Sequence, residues 1–227
     1  HVLFGTHYAD RSQPYFAGTD ARRAADLQAM IDDPGVKAVV SYQGGYGSVR
    51  LLPQLDLTPL REQRKWIVGF RDVTMLHMAL GRLGVESLHA TMPGKFRFGA
   101  DEKPEAIVSD ESLRSALFGR WTRIDAAAHP LNVSGTARGR LAGGNLSLLC
   151  SAIGTPEQPD FDTPTVLFIE EIGEQMYRLD RMMQQLERSG ILAKCKAVLV
   201  GHFTDMLGQK HCGVWDPCDI IAAYVRP

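Results

Sequence analysis

At 227 residues, with 22% charged and a formal net charge of −1, the chain can bury a sizeable core, and its length favours two modest domains over one. That balance gives no electrostatic basis for binding nucleic acid or an anionic membrane, and no apolar run has the length of a membrane span. The four cysteines (Cys150, Cys195, Cys212, Cys218) form no CxxC pair and, with no signal peptide opening the chain, read as reduced thiols of a cytoplasmic protein.

The chain opens at His1 directly on apolar Val2-Leu3-Phe4 and stops at Pro227 after a helical run from Ile220 to Val225, so both ends are expected to be truncated. Thr19-Asp20 offers an N-cap for a helix in which Ala24, Leu27 and Ile31 share a face, and Asp33-Pro34-Gly35 ends it. Val36 to Val40 is a short buried strand. The loop Ser41-Tyr42-Gln43-Gly44-Gly45-Tyr46-Gly47-Ser48 follows, then a short helical run stopped at Pro53. Lys65 to Gly69 reads as a second strand, Phe70-Arg71-Asp72 as an abrupt turn, and Val73, Leu76, Leu80 and Leu83 as the apolar face of the next helix. Ser87 to Gly94 reads as a strand end and loop, and Ser109-Asp110-Glu111 caps a helix through Leu117 that Gly119 ends.

Asp125 to Pro130 has the composition of a linker, giving domains at 1–124 and 133–227 joined by 125–132. Beyond it, alternating Val133, Gly135, Ala137 and Gly139 read as strand, and Gly143-Gly144-Asn145 leads into a helix from Leu146 to Ile153. Thr165 to Ile169 is a buried strand with Glu170-Glu171 at its carboxyl end. Glu174 to Arg188 is an amphipathic helix with Met176, Leu179, Met183 and Leu186 inward, and Ala197 to Phe203 is the next strand. Strand and helix alternate throughout, which predicts an α/β fold with parallel sheets whose ligands sit at the strands' carboxyl ends.

Several residues invite chemistry. Gly44, Gly45 and Gly47 suit either a loop that donates N–H groups to an anion or a tight turn without chemistry; neither common phosphate-loop spacing is present. Ser48 is better placed to cap the following helix than to act as a nucleophile. Glu170 either orients a histidine, or caps a helix or pairs with an arginine while Glu171 is solvated. His77 on an apolar helix face is a hydrogen-bonded core residue, and Met182-Met183 fill a core. His202, His211, Cys212 and Cys218 match no zinc spacing, so no metal or other cofactor is expected. The turn at Arg71 is where hydrolases often present a serine beside the free N–H groups of a helix, a role arginine cannot fill.

These residues also carry a family resemblance. Gln43 to Ser48 with Arg50-Leu51-Leu52-Pro53 and Asp56 resembles the RGGYGxxRLLPxLD segment of the LD-carboxypeptidases, and Gly69 to Leu76 their G-[FY]-S-D-[IV]-T-x-L segment. Phe16 to Asp20, Arg23 to Leu27, Gly143 to Leu146, Gly154 to Pro156, Phe168 to Glu174 and Tyr177 to Met182 follow in the same order. That family comprises serine peptidases, including murein tetrapeptide carboxypeptidases and microcin C self-immunity peptidases. The resemblance implies a flavodoxin-like N-terminal domain, a smaller α/β C-terminal domain and a Ser-Glu-His triad. It puts the serine at Arg71, the glutamate at Glu170, and oxyanion donors at the Asp72 amide and Gly44-Gly45. The family histidine follows a glycine near the C-terminus, beyond Pro227, and is not assigned to His202; Gln43 departs from the usual arginine. It further implies cytoplasmic murein recycling, a murein or related small peptide as partner, and a homodimer. With Arg71 at the serine position the chain is expected to be inactive, leaving a non-catalytic peptide-binding protein as one alternative and a microcin C immunity-type peptidase as another.

Overall fold

The computed structural model describes residues 1–95, 104–120, 123–208 and 216–225, and the chain divides into two compact units, His1–Thr122 and Arg123–Pro227. Each is built on a three-stranded parallel sheet. The expectation of an α/β protein with parallel sheets in two domains holds.

In the N-terminal unit, α1 (Asp20–Asp32) starts where Thr19 turns its hydroxyl to accept the Arg22 amide, a cap worth about 1 kcal/mol. β1 (Ala38–Val40) pairs with β2 (Trp66–Gly69), which pairs with β3 (Leu88–His89). The central strand carries Ile67 and Val68, both buried, and α2 (Thr74–Arg82) follows it. Ile31, Leu60, Ile67, Val73, Leu76, Leu80 and Met92 form the core. The run after Ser48 is a turn and a 3-10 helix (Leu52–Gln54), with Pro53 in its first turn. α3 (Pro104–Leu117) begins ahead of the Ser109 cap, with Pro104 in its first turn.

In the C-terminal unit, β4 (Arg140–Asn145), β5 (Thr165–Ile172) and β6 (Cys195–Thr204) lie side by side in that order. Residues 133–139 are not strand, contrary to the alternating pattern; pairing with β5 starts only at Arg140↔Thr165. α4 (Leu146–Ala152) follows β4, and α5 (Met176–Arg188) crosses from β5 towards β6, with the short α6 (Ile191–Lys194) between them. Met183, Leu179 and Leu186 are fully buried with Leu146, Leu149, Leu167 and Ile169, and Met182 is nearly so, as expected of core filling. α7 (Pro217–Val225) packs on α5, where the Tyr224 hydroxyl donates to Asp180 at 2.7 Å. Among the described residues no helix is long and apolar enough to cross a membrane.

Candidate active site

The elbow after β2 has the geometry its sequence suggests. A Cβ on Gly69 would stand 2.7 Å from Val73 Cγ2, so only glycine lets the strand end run this close to the following turn. Phe70 is extended, and Arg71 then takes a left-handed φ of 57°, at a cost of about 1–2 kcal/mol for a residue with a Cβ. Arg71–Val73 is a single 3-10 turn that feeds straight into α2. The left-handed step throws the Arg71 side chain off the path of both strand and helix.

That side chain lies against the Gly loop. A Cβ on Gly44 would come within 3.0 Å of Arg71 Cβ and 3.1 Å of its Cδ, so loop backbone and arginine stem are in contact. The guanidinium sits 5.8 Å from the Phe70 ring centroid. Among the described residues its buried Nε has no hydrogen-bond partner and Arg71 has no ion pair.

Asp72 is 5% exposed, and its Oδ2 accepts the Ser48 amide at 2.6 Å while Oδ1 has no partner among the described residues. Ser48 is thus held through its main chain, and its expected side-chain capping of a helix is replaced by this bond; no side-chain cap precedes the 3-10 helix. Asp72, Gly44, Gly45, Ser48 and Arg23 line a cavity of about 220 Å³ floored by Val39, Ile67 and Leu76. Outside the loop, Asp20 accepts from Arg23 at 2.5 Å and from Arg50 at 2.6 Å, and both guanidinium groups stack on Phe16, at 4.5 and 5.4 Å. Arg50, and then Arg23, hold the Asp20 carboxyl below the usual range. Arg23 also reaches the Gly47 carbonyl at 3.4 Å.

Two histidines flank the elbow. His77 Nε2 donates to the Gly69 carbonyl at 2.9 Å, leaving Nδ1 to accept from the Ser87 hydroxyl at 2.8 Å, so it is the hydrogen-bonded residue its position on α2 implied. His89 pairs in register with Gly69, with its ring 5.9 Å from that of His77 and 6.2 Å from that of Phe70. Burial, and then His77, push the His89 imidazole down to about 4.

In the C-terminal unit the two glutamates separate by strand alternation. Glu171 points inward at 2% exposure: it accepts Asn145 Nδ2 at 2.7 Å and the amides of Ser147 and Ile172, each at 2.9 Å. Asn145 in turn caps α4 by accepting the Leu148 amide. The expectation that Glu171 is solvated is therefore wrong: it is a buried carboxylate at the start of α4, where free N–H groups need an acceptor. Glu170 is half-buried on the opposite face, in register with Asn145 and beside Gly201, where a Cβ would stand 3.2 Å from Glu170 Cβ. His202 is exposed on β6. His211 and Cys212 lie outside the described residues, among which no three His, Cys, Asp or Glu side chains are grouped to hold a metal.

Arg71, Asp72, Gly44 and Gly45 thus come together around one turn, and Glu170 lies at the carboxyl end of β5 in the other unit. Sequence reasoning missed the Asp72 carboxylate, the Asp20-Arg23-Arg50 cluster and His89. The Asn145 cap on α4 was missed as well, although asparagine before an apolar run is a strong cap signal.

A parallel sheet whose central strand ends in a left-handed turn beside a glycine loop is the architecture of α/β enzymes that present a reacting side chain at the sheet's carboxyl edge. Residues 1–90 match the LD-carboxypeptidase N-terminal domain and residues 138–226 the LD-carboxypeptidase C-terminal domain. The chain belongs to the LD-carboxypeptidase family. It is 42% identical over 201 residues to a putative carboxypeptidase of Streptomyces coelicolor, covering 86% of this chain and 63% of that protein. With the murein tetrapeptide carboxypeptidase of Pseudomonas aeruginosa it shares 32% identity over 209 residues, 88% of this chain and 66% of that one. It therefore spans just under two thirds of the length of these relatives. The crystal structure of muramoyltetrapeptide carboxypeptidase from Oxalobacter formigenes superposes with a TM-score of 0.83 at 32% identity, covering 95% of this chain and 72% of that one.

Proposed function

We propose that the chain carries the scaffold of a serine-type LD-carboxypeptidase that acts on the amide bond to the terminal D-alanine of murein tetrapeptides, and that it does not turn that substrate over in its present form. The observation that carries this reading is Arg71 at φ 57° on the elbow, where a nucleophile would be presented. In such an enzyme a serine attacks the scissile carbonyl, a histidine carries its proton to the leaving amine, and a glutamate fixes the imidazole tautomer. Glu170 is the candidate for the last role. The Asp72 amide and the Gly44-Gly45 loop are the candidate donors to the tetrahedral oxyanion. Losing the nucleophile costs about a millionfold in turnover. Arg71 adds steric exclusion, because its stem fills the space beside Gly44. In this reading the setting is murein recycling in the cytoplasm and the assembly is a homodimer.

A second reading is favoured by the unpaired guanidinium: Arg71 receives the terminal carboxylate of a peptide, making the chain a binding protein. Calorimetry with an L,D-tetrapeptide on the chain and on Arg71→Ser separates the two. Binding lost in Arg71→Ser supports the carboxylate receptor. Binding kept or strengthened in Arg71→Ser supports the altered enzyme site. Binding by neither protein contradicts both.

A further inference from the structure

We infer that the Asp72 carboxylate is a positioning residue that locks the Gly loop to the elbow, so that one residue sets both halves of the oxyanion site: its own amide on the turn, and Gly44-Gly45 through Ser48. This rests on the reading of those amides as oxyanion donors. Donors from two separate segments must keep their spacing to within about 0.5 Å to serve one oxyanion. A loop with glycines at 44, 45 and 47 has high backbone entropy and supplies little rigidity of its own. The structure answers this with few direct ties. Ser41 donates its amide to Val68 at 3.0 Å at the loop's start, and Gly94 donates to the Tyr42 carbonyl at 3.0 Å. At the far end, the Ser48 amide meets Asp72 Oδ2 at 2.6 Å, a charge-assisted bond between loop and elbow.

The burial of Asp72 makes this bond worth more than its count suggests. At 5% exposure the carboxylate has given up most of its hydration, yet among the described residues it is matched by one N–H, and Oδ1 has no partner. A carboxylate kept for stability alone is surrounded by donors, as Glu171 is by three. Asp72 keeps a costly group for a single tie, and that tie joins the two candidate donor segments. The outer cluster of Asp20, Arg23, Arg50 and Phe16 presses on the same loop end through Gly47, so Ser48 is held from both sides.

The test is residue-resolved amide exchange by NMR on the full chain. Asp72→Ala is expected to speed exchange at Ser48 about tenfold or more, the amount set by one lost charge-assisted bond, with Ile67 and Leu80 unchanged. Asp72→Asn keeps a carbonyl acceptor and is expected to restore Ser48 to within about threefold of the parent chain. Asp72→Leu fills the same space without an acceptor and replaces the alanine variant if that one does not fold. Unchanged Ser48 exchange in the alanine or leucine variant, equal loss at Ile67 and Leu80, or failure of asparagine to rescue would each overturn the inference. Tetrapeptide calorimetry in the Arg71→Ser background is the second readout. Affinity there is expected to fall about tenfold with Asp72→Ala and to recover with Asp72→Asn; affinity unmoved by Asp72→Ala overturns the positioning role. No binding by Arg71→Ser itself counts against the functional reading, and the exchange result alone then decides the lock.

Discussion

Two buried carboxylates stand near the carboxyl ends of central strands, and they are built in opposite ways. Glu171 at the end of β5 accepts three N–H donors and closes the start of α4. Asp72 beyond β2 accepts one among the described residues, and its other oxygen has no partner there, beside a cavity of about 220 Å³. Equal burial therefore does not mean equal purpose. A fully satisfied buried charge is a structural rivet, whereas the partly satisfied one beside the strained turn at Arg71 is, in the proposed reading, part of the site.

The largest effect expected from this contrast is at Glu171. Its replacement by alanine strands the Asn145 amide and two backbone N–H groups and should cost at least about 3 kcal/mol in urea unfolding. Acidification comes next. The folded His89 value of about 4 lies below the ordinary 6.5, so the unfolded chain takes up the proton first; stability present above pH 6.5 is lost as pH falls towards 4, by roughly 3 kcal/mol at most. His89→Gln should flatten that slope, which pH-dependent unfolding curves will measure. Asp72→Ala should cost only about 1 kcal/mol, for one bond lost and a bare oxygen removed. If it destabilises as much as Glu171→Ala, the contrast between the two carboxylates fails. Smallest is Arg71→Gly, which relieves the left-handed strain and should raise thermal stability by up to about 1 kcal/mol.

Much of this fold was legible in sequence because its elements are strongly periodic. The Thr19 cap, the inward spacing of α5 and the strand–turn–helix around Arg71 all have local causes, and each stands where the pattern put it. The failures are non-local. Val133 to Gly139 alternates like a strand but meets no partner strand until Arg140. Two adjacent glutamates gave no hint which would turn inward, since that depends on the register of β5 with β4. The bond from Ser48 to Asp72 joins residues 24 apart through geometry that no spacing rule encodes. His89 was passed over because a single histidine at a strand end has no pattern; its character comes from Phe70 and His77, which the sheet brings beside it.

In the proposed reading the elbow presents Arg71 where catalysis needs a nucleophile. The most direct test is D-alanine release from an L,D-tetrapeptide incubated with the purified 227-residue chain at high enzyme concentration. No release above that of the heat-denatured chain is expected. Release that scales with the amount of native chain would contradict that reading.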